Sequence, residues 1–306
     1  MRAADQRTRA RHLYYRARLN HWMGRRREAA ALCARALTWC DYSRAHRLLA
    51  ELELPGEDYL RVLARVHREL RPATYLEIGV ARGDSLELAE PPTRAIGIDP
   101  GPRLRRPLGA LKRVFTETSD EFFAHRDVIA ELGGERVRMA FIDGMHHFDF
   151  ALRDFVHLEP LCQADSLIFV HDCYPLDERT AAREQGTRFW SGDVWRLIVL
   201  LKKYRPDLSV HTIGAPPTGL GLITRLDPQS RTLADQLPTL VAEGLATEFA
   251  TIADHKAEAL NLYPNEWPKL EALLRPQAAH SAGAGAQVLS SAGAGTERSA
   301  RARGLE

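Results

Sequence analysis

The sequence contains few cysteines, and they do not have the spacing of a metal or disulfide motif. The four cysteines Cys33, Cys40, Cys162 and Cys173 lie far from any Cys-x-x-Cys pattern. This spacing argues against both a zinc knuckle and a disulfide framework. The chain also lacks an apolar run of membrane length, and its first residues lack the apolar core of a signal peptide. We therefore expect a cytoplasmic protein with no membrane partner.

A large excess of one charge is also absent from the chain as a whole. There are 42 basic and 40 acidic residues, and a net charge of +2 is too small to indicate a nucleic-acid-binding protein. The N-terminal segment is locally basic through Arg7, Arg9, Arg11, Arg16, Arg18, Arg25, Arg26 and Arg27. We favour a solvated helix face over an RNA-binding patch for these arginines. We expect no nucleic-acid partner, and a homodimer stays open.

Residues 1–70 show helical periodicity and little strand signal. The segment HWMGRRREAAALCARAL places Gly24 ahead of Ala29 and Ala36, and such small residues allow two antiparallel helices to approach closely. It resembles a single tetratricopeptide helix pair, but no second copy follows and stable arrays need about three. We therefore predict an N-terminal helical cap rather than a peptide-binding solenoid.

Residues 71–226 alternate short apolar segments with helical stretches, which predicts an α/β fold with a Rossmann-like, doubly wound sheet of seven strands. The last two predicted strands, LSVHTIG and GLGLITR, are joined only by APPT. This link is too short for a helical crossover, so the parallel sheet should finish in an antiparallel hairpin. Residues 227–275 follow as a helical segment. Residues 276–306 are rich in Gly, Ala and Ser, and we expect a disordered tail there.

The ends of the first two predicted strands have features of a nucleoside-binding site. LEIGVARGDS contains Gly79 and Gly83 as Gly-x-x-x-Gly, and not the Gly-x-Gly-x-x-Gly pattern that approaches a dinucleotide pyrophosphate. Asp99 follows Gly79 by twenty residues and is suited to accept hydrogen bonds from two ribose hydroxyls. Glu77 adds negative charge before the glycine. A cationic nucleoside ligand fits these charges better than a nicotinamide dinucleotide.

The pattern Glu-x-Gly-x-x-x-Gly with an acidic end to the second strand resembles the class I S-adenosylmethionine-dependent methyltransferases over residues 71–226. FIDGMHHFDFALRDF and IFVHDCYP resemble an O-methyltransferase-like subgroup whose fourth strand ends in Ile-Asp-Gly-Asp-His-Ser-Tyr. The resemblance implies S-adenosyl-L-methionine as cofactor. It implies the methionine part beside Gly79, Gly83, Asp84 and Ser85, the ribose at Asp99 and the adenine at Ser119 and Asp120. Glu77 and Asp143 are further predicted cofactor-binding residues.

Two schemes for catalysis follow from the ends of the fourth and fifth strands. In one, Asp143 and Asp172 share a divalent cation, magnesium or manganese, that lowers the pKa of the acceptor hydroxyl. In the other, His146 is the general base. The subgroup's second aspartate is replaced by Met145, and Cys173 follows Asp172 where another oxygen ligand is common, so the magnesium site is weakened. His146 and His171 could instead complete a mixed nitrogen and oxygen site.

Other polar and aromatic side chains near these strands have less specific roles. His147 is more consistent with packing at a helix N-terminus than with catalysis. The long segment after the fifth strand offers substrate contacts from Arg179, Arg188, Trp190 and Trp195, although both tryptophans could equally be core residues. Ser191 or Asp193 is expected to cap the helix that follows.

These patterns predict an S-adenosylmethionine-dependent methyltransferase that acts on a hydroxyl of a small-molecule or sugar-containing acceptor. One alternative is a nicotinamide-dependent oxidoreductase, against which the missing third glycine counts. Another is a non-catalytic helical interaction protein with a vestigial Rossmann domain, against which Glu77, Asp99 and Asp143 count.

Overall fold

The computed structural model describes residues 3–274. The predicted disordered tail, residues 276–306, lies outside the described residues. Within residues 3–274, no helix combines the length and the apolar character needed to cross a membrane.

The described residues form eight strands and eleven α-helices. The strands are β1 (Thr74–Ile78), β2 (Arg94–Ile98), β3 (Lys112–Phe115), β4 (Val137–Ile142), β5 (Cys162–His171), β6 (Ser209–Ile213), β7 (Leu220–Thr224) and β8 (Leu262–Tyr263). The helices are α1 (Ala3–Trp22), α2 (Arg26–Leu37), α3 (Ser43–Glu53), α4 (Tyr59–Leu70), α5 (Ser119–His125), α6 (Val128–Glu131), α7 (Phe148–Leu158), α8 (Trp195–Tyr204), α9 (Leu237–Ala246), α10 (Lys256–Ala259) and α11 (Trp267–Leu274).

All strands belong to one sheet, with the order β3-β2-β1-β4-β5-β7-β6-β8. Strands β1 to β5 pair in parallel, and β7 pairs antiparallel with both β5 and β6. The predicted Rossmann-like sheet with a terminal antiparallel hairpin is therefore confirmed. The sheet has one strand more than predicted, because the two-residue β8 pairs in parallel with β6. A strand of two half-buried residues is too short to give a periodic pattern in the sequence.

The strand register brings the ends of the central strands to one level. Ile78 of β1 pairs with Ile98 of β2 and with Ile142 of β4, and Ile142 pairs with Val170 of β5. The residues that follow these positions therefore emerge together at the carboxyl edge of the sheet. The strand order reverses between β1 and β4, which is where open α/β sheets bind ligands.

The N-terminal helices α1, α2 and α3 share a small core of their own. Ala10, Ala17, Ala29 and Ala36 are fully buried in it, and Gly24 adopts a positive φ of 76° between α1 and α2. Without side chains beyond Cβ, the helices can pack with their backbones close together. Helix α4 is different, because its buried face (Val62, Leu63 and Val66) belongs to the core on one side of the sheet. The division of the chain at residue 70 stays a prediction.

A buried ion pair joins the C-terminal ends of α7 and α8. The Arg205 guanidinium, after α8, donates hydrogen bonds of 2.6 and 2.8 Å to the Glu159 carboxylate, after α7. The two side chains are only 2% and 5% exposed. Glu159 also accepts a hydrogen bond of 3.1 Å from the backbone N–H of Asp227. This carboxylate therefore ties α7, α8 and the chain after β7 together.

We predict that Glu159→Gln lowers the free energy of unfolding by about 2 kcal/mol, because it removes the buried counter-charge of Arg205 and leaves that guanidinium paired only with the half-exposed Asp207. Urea denaturation monitored by circular dichroism measures the change. Asp235→Asn is the matched control, since Asp235 pairs with Arg231 on the surface. Such exposed pairs contribute about 0.5 kcal/mol or less. An equal effect of the two substitutions would contradict the prediction.

Candidate active site

A pocket of about 390 Å³ opens at the carboxyl edge of the sheet, beside the ends of β1, β2 and β4. We call it the central pocket. It is lined by Ile78, Gly79, Ala81, Ile98, Asp99, Pro100, Thr118, Ser119, Asp120, Asp143, Gly144, Met145, His146, Phe150 and Asp154. Six residues predicted for cofactor binding or catalysis are among them: Gly79, Asp99, Ser119, Asp120, Asp143 and His146.

Gly79 is required where the loops after β1 and β4 touch. Its φ is +88°, and a Cβ atom at this position would lie 2.0 Å from the backbone oxygen of Asp143. The Gly79 N–H donates to the oxygen of Ile98, and the Asp143 N–H donates to the oxygen of Ile78, both at 2.8 Å. Any side chain would separate these loops, so glycine fixes the floor of the central pocket.

Asp99 organises the loop that forms one wall of the central pocket. Its carboxylate accepts hydrogen bonds of 2.7 Å from the backbone N–H groups of Ala81 and Gly101. Each oxygen still has a free lone pair, since an ionised carboxylate offers about four acceptor positions. Asp99 is half-buried and faces the pocket. It can therefore accept ribose hydroxyls while it holds the loop in place.

Four other predicted cofactor residues do not line the central pocket. Glu77 is fully buried and accepts hydrogen bonds of 2.7 Å from the hydroxyls of Tyr75 and Ser85. It precedes Ile78 in β1, so the pleat directs it to the opposite face of the sheet. Burial raises the pKa of Glu77 to about 8. Asp84 pairs with Arg105 at the surface, at 2.8 Å. Gly83 closes the turn by donating to the Val80 oxygen.

The predicted catalytic residues meet in a network of carboxylates and imidazoles. Nδ1 of His146 contacts the buried carboxylate of Asp172. Nδ1 of His171 lies 3.1 Å from Asp143 and 3.5 Å from Asp172. The His171 ring also contacts that of Tyr59, with 4.1 Å between ring centroids and a tilt of 37°. Asp172 and His146 both have a positive φ, of 62° and 57°. These uncommon conformations turn both side chains toward each other at the pocket edge.

Charge dominates the titration of this network. Burial raises the pKa of Asp172, but the neighbouring His171 and His146 outweigh burial and hold that pKa below its ordinary value. Burial lowers the pKa of His146, yet the charges of Asp172 and Asp143 raise it above its ordinary value. The pKa of His171 is raised well above its ordinary value by the same two carboxylates, against the effect of burial. Asp172 is therefore held ionised between two imidazoles.

The same residues include a set of donors that could hold a cation. One ligand atom each from Asp143, His146 and Asp172 lies within 4.8 Å of the others. Two carboxylates with one imidazole suit manganese, iron or zinc better than magnesium. His171 is outside this set. The Cys173 thiol is buried and contacts the backbone oxygen of Val170 at 3.4 Å, so it replaces the subgroup's oxygen ligand with a packing residue.

Trp190 is the one predicted substrate contact that lies beside the predicted catalytic residues. Its ring stacks on His146 with 5.4 Å between centroids and meets His147 edge-on at 6.1 Å. Its Nε1 donates to the Ala182 oxygen at 2.7 Å, which fixes the ring in place. Trp190 therefore covers His146 from the side of the long loop.

The other predicted contacts of this loop lie elsewhere. Trp195 is 1% exposed and packs edge-on against Phe249. Trp195 therefore belongs to the hydrophobic core and does not line the central pocket. Arg188 is exposed, and its backbone N–H donates to Asp41 before α3. Arg179 is also exposed and does not line the central pocket.

The prediction that Ser191 or Asp193 caps α8 is wrong, because Asp193 caps α7 instead. The fully buried Asp193 accepts a hydrogen bond of 2.7 Å from the backbone N–H of Phe148, the first residue of α7. Ser191 donates to the Thr180 oxygen, and α8 begins without a side-chain cap. The adjacent Gly192 has a φ of +66°, and a Cβ there would lie 1.8 Å from the His146 oxygen. The loop thus rests directly on the backbone of His146.

Asp154 is a pocket residue that the sequence pattern did not single out. It lies on the buried face of α7, is 3% exposed and accepts a hydrogen bond from Ser119. Its Oδ1 has no hydrogen-bond partner among the described residues. Burial raises the pKa of Asp154 to about 7. The available signal was an acidic residue on the apolar face of an amphipathic helix.

Residues 76–173 match the sequence model of a family described as a methyltransferase domain. The sequence matches no curated protein. Among solved structures, the chain is similar to the O-methyltransferase TomG from Streptomyces achromogenes, involved in tomaymycin synthesis and solved in complex with SAM. The identity is 15%, the match covers 55% of this chain and 79% of that chain, and the TM-score is 0.41. It is also similar to an O-methyltransferase from Bacillus cereus in complex with SAH. That identity is 15%, with 57% and 85% covered and a TM-score of 0.40.

The family match extends from β1 through β5. It includes Gly79, Asp99, Asp143, His146 and Asp172, and so most of the central pocket and its catalytic candidates. The match supports a methyltransferase domain in this part of the chain.

Because of Asp154, the free energy of unfolding should fall as the pH rises from about 4 to about 7. We predict that this fall is smaller in Asp154→Asn. The folded-state pKa of Asp154 is raised to about 7, so its contribution is present in full at low pH and is lost as pH rises. Asparagine keeps the shape and cannot ionise. The variant should therefore gain stability relative to the wild type with rising pH, by at most about 1.4 kcal/mol per unit.

Urea denaturation at pH 4.5, 6 and 7.5 measures this difference. Asp84→Asn removes an exposed carboxylate outside the central pocket and controls for the loss of one negative charge. Parallel stability profiles for the wild type and Asp154→Asn would show that Asp154 is ionised in the folded protein.

Proposed function

We propose that this chain is an S-adenosylmethionine-dependent methyltransferase that methylates a hydroxyl of a small-molecule or sugar-containing acceptor. The observation that carries the proposal is the position of Asp99 in the central pocket, beside Gly79 and next to the Asp143, His146 and Asp172 group. The match of residues 76–173 to a methyltransferase domain supports it.

The charge of the central pocket favours a cationic cofactor. Among the described residues, its lining includes four acidic side chains, Asp99, Asp120, Asp143 and Asp154, and no lysine or arginine; of the four, the buried Asp154 has a pKa raised to about 7 and contributes least to the charge. A sulfonium with an α-amino group suits this field, whereas the pyrophosphate of a nicotinamide dinucleotide would enter it without a counter-charge. The same charges argue against the oxidoreductase alternative. We assign the ribose to Asp99 and the adenine to the side of Ser119 and Asp120.

Methyl transfer from a sulfonium is an in-line displacement that leaves the acceptor proton to be removed. His146 lies at the pocket edge, and Asp172 holds its Nδ1, which fixes the ring orientation. We propose that His146 accepts the proton of the acceptor hydroxyl once bound ligands have changed the surrounding charge. Trp190, stacked on this ring, limits the approach of water from the loop side.

A divalent cation is the second scheme for the same step. Asp143, His146 and Asp172 would hold it, and it would supply Lewis-acid polarisation of the acceptor oxygen. The two schemes assign His146 different roles, as base or as ligand, and they differ in their response to a chelator.

We predict that Asp99→Ala weakens binding of S-adenosylhomocysteine by about 1.5–3 kcal/mol, because it removes a charged acceptor for the ribose hydroxyls. Isothermal titration measures the affinity. Asp84→Ala is the matched control, since Asp84 pairs with Arg105 outside the central pocket and its loss should change the affinity by less than about twofold. An affinity within twofold of wild type for a folded Asp99→Ala protein would refute this cofactor position.

We predict that His146→Ala lowers turnover by roughly a hundredfold or more, with little effect of a chelator on the wild type, because general-base catalysis contributes about this factor. Turnover of acceptor is followed by the appearance of S-adenosylhomocysteine. If a cation is essential, activity should vanish with the chelator and return with manganese or magnesium, and His146→Ala should keep a substantial rate. Full activity of His146→Ala would exclude both roles.

A further inference from the structure

A second large cleft, of about 870 Å³, lies between the N-terminal helices and the loop that precedes α8. We call it the arginine cleft. Its walls come from α1, from residues 40–44 and from Arg188, and its lining includes four arginines: Arg7, Arg11, Arg44 and Arg188. Three separate elements therefore direct cationic side chains to one concave surface.

The guanidinium groups of these four arginines have no partner within the described residues, since none of them takes part in an ion pair, a side-chain hydrogen bond or a ring contact there. Arg9, on another side of α1, differs because it pairs with Asp5 and stacks over Trp39. Asp41 is the one carboxylate that lines the cleft. Its carboxylate accepts a hydrogen bond of 2.8 Å from the Arg188 N–H and lies 3.5 Å from Nδ1 of His46.

Four like charges around one cleft repel one another, and an anionic ligand would relieve that repulsion. Guanidinium groups bind phosphate oxygens in pairs of parallel hydrogen bonds, so four arginines can serve two phosphates. The hydroxyls of Thr8, Tyr15 and Ser43 also line the cleft and can donate to phosphate oxygens. The volume is far larger than a single phosphate needs, which leaves room for the group that carries it.

The arginine cleft shares a loop with the candidate active site. Arg188 lies two residues before Trp190, so their Cα atoms are at most about 7 Å apart. Trp190 stacks on His146. Phe189, which lies between Arg188 and Trp190 in the chain, stacks on His46 of α3 with 5.4 Å between ring centroids. A ligand held by Arg188 would therefore lie close to the aromatic cover of His146.

We propose that the arginine cleft binds a diphosphate group and that, on the basis of the proposed function, this diphosphate belongs to the methyl acceptor. The acceptor class is then a diphosphate-bearing molecule whose hydroxyl reaches His146 past Trp190. The central pocket is acidic and the arginine cleft is basic, so the cationic cofactor and the anionic acceptor are sorted by charge.

Isothermal titration of the full chain with pyrophosphate tests the binding site. Arg11→Gln and Arg188→Gln should each weaken pyrophosphate binding about tenfold, the usual scale for a charge-assisted contact. Both side chains are exposed, so the substitutions should not impair folding. Arg18→Gln is the matched control, because Arg18 is exposed on the same helix and does not line the cleft. Its effect should stay within twofold.

Two comparison ligands test the chemical class. Citrate carries several carboxylates and should bind at least tenfold more weakly than pyrophosphate, since it lacks the geometry of two linked phosphates. A single-stranded oligonucleotide should bind no more tightly than pyrophosphate. Equal binding of citrate, tighter binding of the oligonucleotide, or an equal loss in Arg18→Gln would overturn the assignment of the cleft to a diphosphate.

S-adenosylhomocysteine affinity separates the two proposals. Arg11→Gln and Arg188→Gln should bind it as the wild type does, because neither residue lines the central pocket. Absence of S-adenosylhomocysteine binding to the wild type would refute the methyltransferase and with it the link to the acceptor. If the wild type binds S-adenosylhomocysteine but not pyrophosphate, the proposed diphosphate site in the arginine cleft is refuted and the proposed methyltransferase function is not.

Discussion

The contact between the loops after β1 and β4 is the constraint on which the candidate active site depends. Gly79 lies so close to the Asp143 carbonyl that no side chain fits between them, and backbone hydrogen bonds from Gly79 and Asp143 join β1 to both of its neighbours. Since Asp99 also binds the Ala81 N–H, the ends of β1, β2 and β4 form one rigid unit. The central pocket has its shape because these three ends cannot move apart.

A second rigid unit forms around Asp172 and His146. Both residues have backbone conformations that are uncommon outside glycine, and such conformations persist only where the surroundings enforce them. Here the surroundings are the buried carboxylate of Asp172, the stacked Trp190 and the close approach of Gly192 to the His146 oxygen. Asp193, the next residue, caps α7 and thereby ties the loop to the helix that follows His146 and His147. The loop and the strand ends therefore position His146 together.

The charges of the molecule are separated in space. Four carboxyl groups line the central pocket, whereas four arginines without a guanidinium partner among residues 3–274 line a cleft on the N-terminal helices. The net charge of the chain is only +2, so this separation is invisible in the composition. The loop before α8 contacts both regions, through Arg188 at one end and Trp190 near the other. The same loop therefore connects an acidic pocket with a basic cleft.

The sequence by itself determined the strands, the terminal hairpin and the residues that end each central strand. Short apolar segments, the short APPT link and the spacing of Gly79 and Asp99 are local features, and local features are read directly from the chain. The same reading found Asp143, His146 and Asp172, because parallel strands bring their carboxyl ends to one edge. The sequence also contained the information that Glu77 faces away from Ile78, since successive residues of a strand point to opposite faces.

Only the tertiary structure decided the partners of side chains that are distant in sequence. Asp193 caps a helix that begins 45 residues earlier, Trp195 enters the core, and Arg188 joins a cleft built largely from α1. Asp154 reaches the central pocket because α7 packs with that face inward, and β8 exists because β6 offers it a free edge. These outcomes depend on how whole elements pack. Packing is set by the summed burial of many residues, and no short stretch of sequence contains it.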